Sequence, residues 1–357
     1  MDGVGSTGMS RSGRSAYHTG ATGGHRMTTR IGVGFSGGLT PRDLVECVTL
    51  AEELGYESAW VAEGHGGDQF AILAACAVST RRIRLGTSIS SVFVRSAPTI
   101  GMAAATVDHL SGGRFILGLG SSHRVQVEPE HGLPFIQPIQ RLRETIDVVR
   151  ALVRDGAVAY SGKVVDVKRF DLWFPPLRPS IPIYVSALFP AMLQIAGEIA
   201  EGVLLTWPTL DAGGRAAANV GIGARRAGRQ PDAVEIASLI PCYVAGSRGE
   251  AYEAMPQAVA FYAGFFPRYH RLLAESGFAD DVARIAEAFQ RGDRAEAARR
   301  VPDALIAAIT AAGTPDDCRA KIDAYRRSGI ALPIVSPRAS GPEAKEMAMA
   351  TLRACAP

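Results

Sequence analysis

Eight short apolar runs, separated by stretches of helical character, constrain this chain more than any other feature. They read IGVGF (31–35), ESAWVAE (57–63), RIRLGTSI (82–89), RFILGLG (114–120), IPIYVSA (181–187), GVLLTW (202–207), EIASLIPCYVAG (235–246) and ALPIVSP (331–337). Short runs of this kind, bounded by Gly and Pro, have the length of buried strands rather than helices. The stretches between them carry helix signals. Thr40-Pro41 opens a helix that Gly55 stops, and Leu142, Ile146, Val149 and Val153 recur at helical spacing over 138–154. Further helices are predicted over 68–80, 97–110, 190–201, 211–228, 315–328 and 342–354.

Strands alternating with helices eight times predict an α/β fold of one class, a (β/α)8 TIM barrel. A doubly wound sheet is the competitor. It would usually carry fewer strands and a G-x-G-x-x-G fingerprint at its first strand–helix turn, and GFSGGLTP (34–41) lacks that spacing. Two stretches break the rhythm and read as insertions. Residues 156–180, with KVVDV and FPPLRPSIP, predict a small hairpin and a loop. Residues 249–300 are helical and Ala-rich, longer than a crossover needs. One domain is therefore expected over 30–357. Residues 1–29 have almost no large apolar side chains and read as a disordered tail. Met27 offers an alternative start of translation.

A net charge of +3 and the lack of a basic stripe argue against nucleic acid as a partner. No run of apolar residues is long enough to span a membrane. Cysteines at 47, 76, 242, 318 and 355 have no metal-ligand spacing, and no secretory signal is visible, so no metal and a reducing cytoplasm are expected.

GLGSSH (118–123) could be mistaken for a dinucleotide-binding loop. The third glycine is absent, and Pro129 predicts that no helix begins directly after it. In a barrel these residues sit at the C-terminal mouth, where active sites are built. Gly118 and Gly120 either let a flat ring approach the backbone or relieve crowding within the barrel. At the end of the second strand, VAEGHGGD places Glu63, His65 and Asp68 where proton donors and ring-binding groups belong. A buried salt bridge or a helix cap is the structural alternative for Glu63. Phe261, Tyr262, Phe265, Phe266 and Tyr269 read as helix core or a dimer surface, with a substrate lid as the weaker alternative. Trp207 reads as mouth lining or packing.

LSGGRFILGLG (110–120) resembles the signature of the luciferase-like flavin and deazaflavin oxidoreductases. So do WVAEGHGGDQFAILAACAVSTRRIRLGT (60–87), TRRIRLGTSISSVFVRSAPT (80–99) and IPIYVSALFPAMLQIAGEIAEGVLLTW (181–207). Their order and spacing from about residue 30 to about 337 are more specific than any one alone. The nearest subgroup uses coenzyme F420 and includes methylene-tetrahydromethanopterin reductase-like enzymes.

The resemblance implies a set of roles. Ser88-Ile89 matches a non-prolyl cis peptide, a bulge against the central ring of the cofactor, and Ser91 matches a position that hydrogen-bonds its pyrimidine-like ring. Ser121, Ser122, His123 and Gln126 match cofactor-side and catalytic positions. His123 stands where some relatives have a carboxylic acid, which implies a general acid. Glu63 matches an acidic position, and His65 is displaced by one residue from a histidine of sugar-phosphate-oxidising relatives. Ser186, Ala187, Leu188 and Phe189 match the loop whose N–H groups hold the cofactor phosphate. The family often has glycine where this chain carries Leu188 or Phe189.

The activity so implied is hydride transfer between C5 of F420 and a C=C, C=N or C=O bond of a small-molecule substrate. A reduced-FMN-dependent monooxygenase is the alternative within the family. A non-catalytic cofactor-binding barrel is the alternative of another class. Relatives pair through helices near the second and third strands, so a homodimer is expected.

Overall fold

In the computed structural model, which describes residues 30–357, all eight predicted strands form, and they close on themselves. They are β1 (Gly32–Phe35), β2 (Ser58–Val61), β3 (Arg84–Thr87), β4 (Phe115–Gly120), β5 (Ile183–Ser186), β6 (Gly202–Thr206), β7 (Glu235–Val244) and β8 (Leu332–Pro337). Each pairs in parallel with the next, and β8 returns to β1 with Gly32 opposite Ile334. Parallel neighbours require crossovers. These are α1 (Pro41–Glu53), α2 (Gln69–Ser79), α3 (Ala97–Ser111), α4 (Pro138–Asp155), α5 (Pro190–Ile199), α6 (Ala212–Arg226) and α7 (Pro315–Arg327), with α8 (Ala344–Ala354) closing the ring. The architecture is the predicted TIM barrel. Trp60, Ile116, Tyr184, Leu204, Leu239 and Ile334 fill its interior. A larger apolar layer lies between strands and helices. No helix of the described residues is long and apolar enough to cross a membrane. The tail predicted for 1–29, and Met27 with it, lies outside the described residues.

The third strand does not run straight through 82–89 as predicted. Gly86 pairs with Ile116 and Ser90 with Leu119, so three residues on one strand face two on the other. That extra residue is a bulge. Thr87 bridges it: its Oγ1 donates to the Gly118 carbonyl at 2.8 Å and accepts from the Gly118 N–H at 2.8 Å. The strand resumes at Ser90–Ser91.

Both insertions are present. The first is an antiparallel hairpin, Ala157–Ser161 with Asp166–Asp171. Its turn hangs on one buried carboxylate. Glu144 on α4 accepts the N–H groups of Lys163, Val164 and Val165 at 2.7–2.9 Å and the Gln140 amide at 2.7 Å. Burial pushes this carboxyl up, but those four donors outweigh it and hold it down to about 2. The charge therefore stabilises the fold fully above the ordinary glutamate value of 4.5, and that stability is lost as pH falls toward about 2. A Glu144→Gln chain is expected to be less stable by about 2–3 kcal/mol at neutral pH, since one amide oxygen cannot serve three N–H groups. Denaturant titrations at pH 7 and pH 3 check this, because the gap between variant and parent should shrink at the lower pH.

The second insertion lies between β7 and β8 and is helical, as expected for 249–300. It is six short helices from Arg248 to Ile309, broken before Pro256, Pro267 and Pro302 and at the positive-φ residues Gly277 and Gly292. Proline cannot donate to the helix ladder, which accounts for the first three breaks. It has its own apolar cluster, which includes Val259, Leu273, Ile285 and Ile306 and takes in Trp207 from the end of β6. This segment roofs the C-terminal end of the barrel.

One local expectation fails. A helix does begin directly after GLGSSH, at Arg124–His131, with Pro129 inside it. The proline falls in the second turn of a two-turn helix that Gly132 ends in a left-handed cap. Only the bond to the Val125 carbonyl is forfeited, too little to prevent the helix.

Candidate active site

Strand ends from all around the barrel and the roof enclose a cavity of about 660 Å³. That volume is in the range of small-molecule and cofactor sites. Of the residues singled out in the sequence, Glu63, His65, Ser88, Ile89, Ser121, Ser122, His123, Gln126, Ser186, Ala187, Leu188 and Phe189 all line it. Ser91 does not. It is 3% exposed, behind the wall.

The floor is the bulge. The Ser88–Ile89 peptide is cis. Ile89 packs on the barrel's interior cluster, and the Ser88 hydroxyl is buried without a hydrogen-bond partner. Buried hydroxyls are normally paired, so an orphan lining a cavity marks a place for a ligand's polar edge. The glycines of β4 serve the bulge. A Cβ on Gly118 would stand 1.9 Å from the Thr87 carbonyl oxygen, and one on Gly120 would stand 2.9 Å from the Ile89 side chain. Crowding, not ligand approach, requires glycine at 118.

Glu63 holds the bulge from the side. Its Oε2 accepts the Ser91 N–H at 2.6 Å, and its Oε1 accepts from Arg95 Nε at 2.6 Å. Arg95 also reaches Asp68 at 2.7 Å, whose other oxygen caps α2 through the N–H groups of Phe70 and Ala71. The buried ion pair named as the alternative for Glu63 is thus what forms, at the cavity's edge. Ser91 offers its backbone to Glu63, and its hydroxyl accepts from the Phe93 N–H at 3.3 Å. His65 sits at the rim, with a side chain 81% exposed and Nε2 3.2 Å from Glu130.

His123 differs from the general acid implied by the resemblance. Its ring lies against Phe266 and Tyr269, with centroids 4.5 and 5.5 Å away. Burial, helped by the nearby positive charge of Arg268, pulls its pKa down to about 4. The imidazole is neutral at pH 7 and has no extra proton to give. An NMR titration of its ring resonances is expected to show a midpoint near that value; one above 6 would restore the acid.

At the opposite wall, α5 begins with Pro190, and no side chain caps it. Among the described residues no acceptor takes the N–H groups of Leu188, Phe189, Ala191 or Met192. A helix start with open donors is suited to an anion. The bulky Phe189 does not close it, since Arg271 lies over that ring at 4.4 Å.

Sequence reasoning gave the roof's aromatic residues a place at the site only as the weaker alternative, and it missed Arg268. Phe261, Tyr262, Phe265, Phe266 and Tyr269 line the cavity, and so do Arg268 and Trp207. Trp207 packs against Tyr262 with centroids 4.4 Å apart and rings tilted by 40°, and it takes a left-handed backbone, φ 52°, as does Ser122, φ 56°. Such non-glycine conformations gather at functional sites. The aromatic cluster is therefore both core of the roof and a wall of the site.

Taken together, the cavity offers a bulged floor with an orphan hydroxyl, an anion cradle to one side and an aromatic roof. A flat ring with an acidic tail matches that donor set. The chain matches the family model for luciferase-like monooxygenases over residues 19–332. It is 29% identical over 323 residues to 5,10-methylenetetrahydromethanopterin reductase of Archaeoglobus fulgidus, covering 89% of this chain and 96% of that one. An F420-dependent glucose-6-phosphate dehydrogenase of Amycolatopsis mediterranei is 35% identical over 182 residues, 46% of this chain and 54% of that one. The structure of coenzyme F420-dependent tetrahydromethanopterin reductase from Methanopyrus kandleri superposes with a TM-score of 0.82 at 28% identity, covering 92% of this chain and 97% of that one.

Proposed function

Because the chain belongs to the luciferase-like monooxygenase family, we propose that it is a coenzyme F420-dependent oxidoreductase acting on a small organic substrate. The reaction is hydride transfer between the deazaflavin and the substrate, which reduces a C=C, C=N or C=O bond or, in the reverse direction, forms one. The observation that carries this reading is one cavity joining the unpartnered Ser88 hydroxyl on the bulge to the uncapped start of α5.

When bound, the deazaflavin supplies the hydride chemistry at its C5. The chain's residues position and shield. Ser88 Oγ would bond the ring's polar edge, with Ile89 beneath it. Ser121, Ser122 and Gln126 line the side toward β4. The N–H groups of Leu188, Phe189, Ala191 and Met192, beside Ser186 and Ala187, would hold the phosphate. Trp207, Tyr262, Phe266 and Tyr269 keep water from the acceptor, which makes the gain one of orientation. Neutral His123 can orient an acceptor by a hydrogen bond. His65 Nε2, exposed at the rim beside Glu130, is the group placed to exchange the balancing proton with solvent.

Fluorescence titration tests this: F420 emission should be quenched saturably, with little oxygen consumed on turnover. Retention of FMN with rapid oxygen uptake would establish the monooxygenase alternative, and binding of neither cofactor the non-catalytic one. The homodimer belongs to the same proposal. Val78 on α2 and Met102 and Leu110 on α3 are exposed apolar side chains at 56, 39 and 46%. Sedimentation equilibrium should return twice the 37.7 kDa chain mass. All five cysteines are buried and free, which accords with the cytoplasmic location proposed here.

A further inference from the structure

The cavity wall carries four fully ionisable side chains besides its histidines: Glu63, Glu130, Arg268 and Arg338. Both carboxylates already have a nitrogen partner, Glu63 in Arg95 Nε at 2.6 Å and Glu130 in His65 Nε2 at 3.2 Å. Neither guanidinium has a carboxylate partner among the described residues. Arg338 lies at the end of β8, across the barrel. Arg268 descends from the roof beside the end of β4.

Arg268 is held but not neutralised. Its Nη1 donates to Ser121 Oγ at 3.1 Å and to the Ser122 carbonyl at 3.4 Å, and its guanidinium lies 5.6 Å from the Phe135 ring centroid. Nε and Nη2 have no acceptor among the described residues. Burial makes the charged form harder to hold. A half-buried guanidinium with two free donors is geometrically suited to a carboxylate or phosphate, which it can bind in fork fashion. Around it stand His123, Phe266 and Tyr269, which offer flat apolar surface and no negative charge.

We propose that Arg268 binds an anionic group, carboxylate or phosphate, on the hydride acceptor, so that the enzyme selects acidic, ring-bearing substrates. This rests on the F420 reading of the cavity. The cofactor's own phosphate has separate donors at the start of α5, beside β5. Arg271, the other roof arginine near that end, is already paired with Glu275.

The probes are benzoate, its neutral counterpart benzyl alcohol, and inorganic phosphate, added to the unliganded protein in calorimetric and thermal-shift titrations. Benzoate or phosphate should bind and stabilise, and benzyl alcohol should not. Arg268→Gln should weaken the anion by about tenfold or more, Arg268→Lys should retain part of it, and F420 affinity should change by less than about twofold. Equal response to benzoate and benzyl alcohol, with none to phosphate, overturns the proposal on the unaltered protein alone, whether or not the glutamine variant folds. Unchanged anion binding in Arg268→Gln, with a lower melting point, would make Arg268 a structural latch on Phe135. A loss of F420 affinity in that variant, absent for a deazariboflavin lacking the phosphate, would assign Arg268 to the cofactor tail. Should the protein bind no deazaflavin but still discriminate benzoate, and lose that discrimination in Arg268→Gln, the cofactor reading fails and the anion subsite stands.

Discussion

A Gly118→Ala chain is expected to lose about 4 kcal/mol or more of stability and to accumulate as insoluble protein at ordinary expression temperatures. The added methyl group would sit 1.9 Å from the Thr87 carbonyl oxygen and 3.0 Å from Leu204 Cδ1. Leu204 could turn aside. The carbonyl cannot, because Thr87 is tied to Gly118 by two bonds through its own hydroxyl and leads directly into the bulge. Relief therefore requires β3 and β4 to part, in a closed sheet where each strand has a neighbour on both sides. Thermal unfolding of whatever remains soluble should fall by roughly 6 °C or more. Gly214→Ala is the control. It lies in α6 with nothing within 4 Å of the new methyl group, so it should be neutral or stabilising by up to about 1 kcal/mol. Equal melting points for the two variants would show that the barrel tolerates separation at this seam.

Glu63→Ala is expected to weaken cofactor binding by about a hundredfold, near 2.7 kcal/mol, while leaving a folded protein. The substitution leaves the Ser91 N–H, at the end of the bulge, without its acceptor and leaves Arg95 with Asp68 alone. The floor on which the ring would rest then loses its lateral anchor. Glu63→Gln should fall between, because an amide oxygen can still accept from Ser91 but cannot neutralise Arg95. The division between binding and turnover is informative. A positioning residue raises Kd and KM with a smaller effect on kcat, whereas a proton donor lowers kcat with binding intact. Fluorescence titration beside steady-state kinetics separates the two, and an unchanged Kd would return Glu63 to the catalytic role its position suggested.

The barrel was legible because each strand is a local object. A run such as GVLLTW, short, apolar and stopped by proline, carries its own evidence. The bulge was legible only through resemblance, since RIRLGTSI contains nothing that says where pairing should skip a residue. The skip is set by Gly118, thirty residues downstream, and by the Thr87 hydroxyl that fills the gap. The site divides in the same way. Glu63, Ser88, His123 and the start of α5 lie at strand ends, where barrel geometry makes position equivalent to function. Arg268 was missed and the aromatic wall ranked second because they belong to a crossover, and a crossover's helical period does not reveal which face meets the mouth. Phe261, Tyr262, Phe265 and Phe266 have the spacing of ordinary helix core, and they are partly that as well. The surroundings of His123 were hidden for a different reason. Nothing in GLGSSH announces that Phe266 and Tyr269, far along the chain, will dehydrate the imidazole.

The roof is one uninterrupted stretch of chain, from Arg248 to Ile309, that leaves and rejoins the barrel between adjacent strands. Its cluster is largely its own, and it meets the rest through Trp207, the end of β4, Phe189 and side-chain contacts to α7 at its two ends. Such a segment can be transplanted as a cassette. A chimera carrying a relative's roof on this floor would inherit a new acceptor preference without disturbing the redox platform beneath, so diversification of this scaffold can proceed by exchanging sixty residues rather than by rebuilding eight strands.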